Sequence, residues 1–353
     1  MPEKSYLFHN IEFDNLKFYY NDLSPSLAYY PNIYIDSLNT SDSSSFKLLT
    51  NKFGWNHNSS NTSFFIETRH SRYKIINEDK SLFDFTIGSS TLWEKEKMKF
   101  GLDFSYLPIG TNQSSYFLKA YSNISFSHTI FSLHTHSTRY KPNLFQQKYI
   151  SNHFQWDNNF DFIFEKKFNA SVKNEKRKFL LETSIFMYKN YVYFNDDCLP
   201  VQYVGNNIVF QLLANKKVAI KSFNLETEIV YQKSSKNLIK VPEFTANGSA
   251  YFINNSFNNK AILTYGMNMF YFSEFYGNAY MPALGLFHLQ NEVTIGNYTV
   301  FDLFLNFNIQ NVNIGLIVEH INAGFMGFNY FIAPNYPIID RNLRFNLTWN
   351  FKD

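Results

Sequence analysis

What most constrains this chain is a period of two in its apolar residues, renewed again and again from about Ser45 onward. The last stretch, Arg341 to Phe351, shows it without a break. Leu343, Phe345, Leu347, Trp349 and Phe351 take one set of positions, and Asn342, Arg344, Asn346, Thr348 and Asn350 take the other. Successive side chains of a strand point to opposite faces, so each set receives its own side of a sheet. Upstream, Phe301, Leu303, Leu305 and Phe307 oppose Asp302, Asn306 and Asn308, and Val312 to Val318 alternates with Asn313, Gly315 and Glu319. Phe223, Leu225, Ile229 and Tyr231 face away from Glu226 and Glu228. Met98 to Tyr106 alternates with Lys97, Lys99, Gly101 and Asp103, and Phe131 and Leu133 oppose His134 and His136.

Segments of this kind number roughly sixteen (range about 14 to 18), each about 9 to 13 residues long, the length a tilted strand needs to cross a bilayer. Strands of soluble domains average nearer 5 to 6 residues. The polar sets carry Asp, Glu, Lys, Arg and His, which a dry core between two sheets does not accept in such number. A wide barrel with a wet interior does. The expected fold is therefore all-β: an antiparallel up-and-down transmembrane barrel over 41–353. Residues 1–40 read as an N-terminal extension or an irregular first hairpin. The polar faces give candidate lumen residues Lys97, Lys99, Asp103, His134, His136, Glu226, Glu228, Asp302, Glu319 and Arg344. The apolar faces give candidate lipid-facing residues Phe301, Leu303, Leu305, Phe307, Leu343, Phe345, Leu347 and Trp349.

Composition narrows the alternatives. The 40 Phe and 25 Tyr follow from A/T-rich codons as readily as from selection, which accounts for their amount and not for their order. Mean hydropathy is −0.29, and no apolar run is long enough for a transmembrane helix. A net charge of +3 without a basic stripe excludes a nucleic-acid surface. A single cysteine, Cys198, excludes a disulfide scaffold and a cysteine-built zinc site. His134 and His136 share a face, as do Glu226 and Glu228, but no third ligand, nucleophile elbow or phosphate loop accompanies them. No enzyme activity, cofactor or metal is expected. Mixed signs on the polar face predict weak ion selectivity. If the C-terminus lies in the periplasm, residues 322–340 and the Gly296–Asn297 turn are outer, and Gln310–Asn311 and the connection from Ser273 to Gly285 are inner. The final strand should pair with Val312 to Val318 on one side and with the first strand on the other.

Over about Trp156 to Phe351 the sequence resembles the putative porin family of Bacteroidota outer membranes. The resemblance rests on WDNNF at Trp156 to Phe160, NYVYF…PVQ from Asn190 to Gln202, and FYGNAYMPALGLFHLQ from Phe275 to Gln290. GNYTVFDLFLNF from Gly296 to Phe307, VEHIN at Val318 to Asn322 and NYPIIDRNLRFNLTWNF at Asn335 to Phe351 complete it. It implies a barrel in the cell outer membrane that passes small hydrophilic solutes, with the lipid and the barrel-assembly machinery as partners, no nucleic acid, and homo-oligomer formation left open. Phe351 is, by the same resemblance, the assembly signal. Family members carry an export leader, which MPEKSYLFHN does not form; the expectation is a leader missing from this chain. A TonB-dependent-receptor-like barrel without its plug, or a structural or adhesin barrel, is the alternative.

Overall fold

The computed structural model describes residues 5–26, 29–30, 32–76, 78–258, 260–325 and 327–351. Residues 1–4, 27–28 and 31 of the expected N-terminal unit, and 77, 259, 326 and 352–353 of the expected barrel unit, lie outside the described residues. Sixteen long strands carry the fold: β1 (Ser5–Asp22), β2 (Thr40–His57), β3 (Thr62–Ile75), β4 (Glu78–Lys95), β5 (Met98–Gly110), β6 (Tyr116–Phe126), β7 (Thr129–Tyr140), β8 (Ile163–Asn174), β9 (Phe179–Phe194), β10 (Pro200–Ile220), β11 (Phe223–Ser234), β12 (Phe244–Ser256), β13 (Ala261–Phe272), β14 (Tyr298–Ile309), β15 (Val312–Glu319) and β16 (Asn342–Trp349). They form one 16-stranded sheet in which each strand pairs antiparallel with its neighbour in this order. The only α-helix among the described residues is Leu144–Gln147.

The sheet has two chemically distinct faces. Directly opposed partners share a face, so the register carries facing information from strand to strand. Asp103 opposes Lys119, Lys119 opposes His136, and His136 opposes Lys167. Asn169 opposes Ser184, Ser184 opposes Gln211, and Gln211 opposes Gln232. Asn268 opposes Asp302, and Gly315 opposes Asn346. Large apolar side chains dominate the other face and stand exposed on it, among them Phe53, Phe64, Trp93, Phe100, Leu133, Ile185, Phe210, Tyr265, Leu303 and Phe345. An apolar surface continued over every strand is what a lipid-facing wall presents and what a soluble monomer avoids. On the polar face, Gly101 makes room for the Tyr121 ring of the neighbouring strand, which occupies the space a Cβ would need.

The two rims differ as much as the two faces. The connections 58–61, 96–97, 127–128, 175–178, 221–222, 257–260 and 310–311 lie at one rim, and each is two to four residues long. At the other rim lie 23–39, 141–162, 273–297 and 320–341, together with the shorter 76–77, 111–115, 195–199 and 235–243. Short turns at one rim and long loops at the other is the asymmetry of outer-membrane barrels.

Three expectations change. Residues 5–22 are a regular strand, paired with β2 along its whole length, where an extension or irregular hairpin was expected. The connection from Ser273 to Gly285 lies at the long-loop rim and not at the short-turn rim. The whole of 273–297 is a single excursion, folded on itself by the small pairs Phe275–Tyr276 with Thr294–Ile295 and Ala279–Met281 with Leu286–His288. Finally, β16 pairs with β15 alone: among the described residues no ladder joins it to β1, and both strands stand exposed along most of their length.

Candidate functional site

Nine of the ten polar residues singled out from the sequence share the polar face: Lys99, Asp103, His134, His136, Glu226, Glu228, Asp302, Glu319 and Arg344. Lys97 does not join them. It stands in the turn before β5, where its carbonyl accepts the Ser125 N–H at 2.8 Å. The nine form local partnerships. Lys99 pairs with Glu94 at 2.7 Å, and Arg344 pairs with Glu319. Lys217 Nζ lies 2.5 Å from Glu226, which also accepts the Tyr251 hydroxyl at 2.6 Å. His136 Nε2 lies 3.3 Å from Glu165, while His134 makes a long contact of 3.4 Å to Asn123 and meets the Tyr121 ring edge-on at 5.8 Å. Among the described residues no cluster of three or more His, Cys, Asp or Glu could hold a metal ion. The Asp302 carboxylate accepts the His320 N–H at 2.8 Å and so ties down loop 320–341.

A cavity of about 620 Å³ opens on this face between β2 and β7, lined by Lys52, Glu67, Arg69, Asp103 and Lys119 together with Phe65, Phe117 and several serines. Two smaller ones of about 320 Å³ each adjoin Lys119, His134, His136 and Lys167, and Glu226, Glu228 and Asp302. The wall is thus polar, indented and lined by both signs of charge.

At the long-loop rim this face is covered. Loop 141–162, which joins the neighbouring strands β7 and β8, reaches across to the β1–β2 connection. The short helix Leu144–Gln147 starts it, with a capping box in which the Asn143 and Gln146 side chains each accept the other's backbone N–H. Beyond the helix, Tyr149, Phe154 and Trp156 bury themselves against Tyr30, Tyr73, Ile75, Cys198, Met281 and Ala283, residues drawn from β3 and from three other connections. Trp156 Nε1–H donates to the Phe145 carbonyl at 2.8 Å, so the indole is buried without an unmet donor. Gly285, in the left-handed region at φ +64°, lets loop 273–297 close against the Phe18 ring; a Cβ there would stand 2.5 Å from it.

A polar latch completes the lid. Asn152, 2% exposed, uses every side-chain valence. Its Oδ1 accepts the N–H groups of Ile35 (3.1 Å) and Asp36 (2.9 Å). Its Nδ2 donates to the Asp36 carbonyl and to Thr40 Oγ1, both at 2.9 Å. Its own N–H donates to Asp42 at 2.8 Å. Beside it His153 stacks on Tyr30 at 4.1 Å and reaches Thr40 Oγ1 (2.7 Å) and the Asn32 carbonyl (2.9 Å). Lys148 holds the near side through Glu78 (2.5 Å) and Asp157 (2.9 Å), and these bonds raise its pKa above the usual lysine value. Cys198, buried at the edge of the cluster, has its thiol pushed up to about 12 by burial.

None of these lid residues stood out in the sequence as part of a site, except that WDNNF and the Asn190–Gln202 and Phe275–Gln290 stretches, quoted for their resemblance, contain several of them. Phe351, the expected assembly signal, is exposed and stacks on Trp349 at 4.8 Å.

Comparison with known proteins follows this geometry. A family model described as "Putative porin" matches residues 2–353. No curated protein matches the chain. Among solved structures, the siderophore receptor PirA from Acinetobacter baumannii is similar with a TM-score of 0.66 and 9% identity, over 98% of this chain and 60% of that one. The ferric enterobactin receptor PfeA gives 0.65 and 12%, over 98% and 60%. The FrpB iron transporter from Neisseria meningitidis (F5-1 variant) gives 0.65 and 13%, over 98% and 61%. The chain therefore spans about three fifths of the length of these structures. At such identities the likeness concerns the fold, which is that of a transmembrane antiparallel β-barrel.

Proposed function

Because the chain belongs to the putative porin family, we propose that it acts in the cell outer membrane as a channel for the passive diffusion of small hydrophilic solutes. The observation that carries this reading is the mainly polar face, with paired charges and cavities from β2 to β14, backed by an apolar face. A hydrated wall of mixed charge lowers the cost of moving a polar solute past hydrocarbon without binding it tightly. The membrane lipid is the partner of the apolar face, and the assembly machinery is the partner of the terminal strand that ends at Phe351. No chemistry is assigned to the site.

A second reading draws on the lid. A mouth closed by loop 141–162 and its latch suits a barrel that binds a solute before passing it, as a receptor-like barrel without a plug would. Liposome swelling separates the two. Protein reconstituted in vesicles should admit sugars and amino acids at rates that fall with solute size and do not saturate. Vesicles that stay impermeable, while the protein binds a solute saturably, would instead support the receptor-like reading.

A further inference from the structure

On the polar face, three consecutive strands place Lys119, His136 and Lys167 directly opposite one another in a single row. Neighbouring strands stand about 4.8 Å apart, so the two lysines flank the imidazole at about 10 Å between backbones, within reach of a common point above the ring. Two lysines this close on one face are held apart by a single residue, with Asp103 opposite Lys119 on the outer side of the row.

Lys119 is held only at long range by a carboxylate, and Lys167 by none among the described residues. Lys119 lies 3.9 Å from Asp103, the longest ion pair on this face, and Asp103 also accepts from Ser90. Lys167 rests over the Phe186 ring at 4.9 Å and has no carboxylate within ion-pair distance among the described residues. His136 is turned toward Glu165 at 3.3 Å, which fixes the ring between them. In front of the row lies a cavity of about 320 Å³. Ser132 and Ser171 line it below the row and offer neutral donors, Asn169 lies beside them with its amide donating to Ser184 at 2.9 Å, and Glu182 bounds it at the same depth as Ser171.

We propose that this cavity is a binding station for a phosphate-type oxyanion, either inorganic phosphate or a small phosphate monoester, with Lys119 and Lys167 as its two cationic arms. The proposal rests on the diffusion-channel reading, since the solute must reach the station along the polar wall. Two ammonium groups with three donors each suit an anion whose charge is spread over several oxygens. Hydroxyl donors complete its shell. Chloride, a single centre, gains less from two separated arms. The carboxylates of Asp103, Glu165 and Glu182 limit the affinity, as a site that must release its solute requires.

The test is block of chloride current by inorganic phosphate in a planar bilayer. Wild-type channels should lose chloride current saturably as phosphate is added. Lys119→Gln with Lys167→Gln should conduct chloride but require about tenfold more phosphate for half-block. Lys119→Arg with Lys167→Arg should keep the block, and so should Lys173→Gln, a lysine on the same strand and face but outside the row. An unblocked wild type, or a double Gln variant blocked like wild type, overturns the proposal. Absence of any chloride current counts against the channel reading instead. The station is then decided by equilibrium binding of labelled phosphate to the detergent-solubilised protein and its variants, where equal binding by wild type and the double Gln variant rejects it. A methyl phosphate arm distinguishes the monoester from the free ion.

Discussion

Leu347 and Asn346 are neighbours in the chain with opposite surroundings. Leu347 belongs to the exposed apolar face of β16, and Asn346 stands opposite Gly315 on the polar face. Leu347→Arg should cost about 2–4 kcal/mol if the residue sits at mid-bilayer, whereas Asn346→Arg should be close to neutral. Denaturant titration of the protein refolded into vesicles measures both, and equal costs would refute the facing of the two residues. Cys198 reports on the lid at the same scale. Its thiol is buried and held at about 12, far from the thiolate form that reacts. Maleimide labelling near pH 8 should therefore be slow in the folded protein, by at least about a hundredfold relative to the denatured chain.

The lid is the element whose behaviour departs most from its neighbours. Asn152→Ala removes five side-chain hydrogen bonds of the latch, among them the acceptor of the part-buried backbone N–H groups of 35 and 36. The cost should be about 1–3 kcal/mol, borne by the loop and not by the strands, whose ladders it does not touch. The expected outcome is faster labelling of Cys198 with an unchanged far-ultraviolet β signal; loss of both together would mean that lid and sheet are one cooperative unit. The strands were legible because alternation is local, whereas the lid was not, because Asn152 finds its partners more than a hundred residues away in sequence. The same lid explains why β1 escaped notice. Its polar-face positions include Leu16, Phe18 and Tyr20, of which Phe18 packs against Gly285 and Tyr20 hydrogen-bonds to Tyr30 at 2.6 Å, while Asn15, Lys17 and Asn21 stand on the other face, so the usual alternation is reversed there. The misplacement of Ser273 to Gly285 has a similar origin: the short pairs inside 273–297 resemble a strand in sequence, and one false strand inverts the rim assigned to everything before it.

For the molecule as a whole, the balance of charge along the polar face is the property most open to measurement. Lys99 with Glu94, Lys217 with Glu226 and Arg344 with Glu319 neutralise one another in place. Reversal potentials across a salt gradient should accordingly show weak selectivity between cations and anions; near-ideal selectivity of either sign would contradict this balance. One consequence concerns time. The lid's apolar cluster joins residues from the connections after β1, β7, β9 and β13, so it cannot assemble until most of the sheet stands in order, and closures this distant in sequence come late. Of the four tryptophans only Trp156 is buried, at 8% exposed, while Trp55, Trp93 and Trp349 face outward. The lid is thus a clock for biogenesis: lipid contact should shift the emission of the three outer indoles as strands insert, and Trp156 should follow as a separate, final phase that marks a finished molecule.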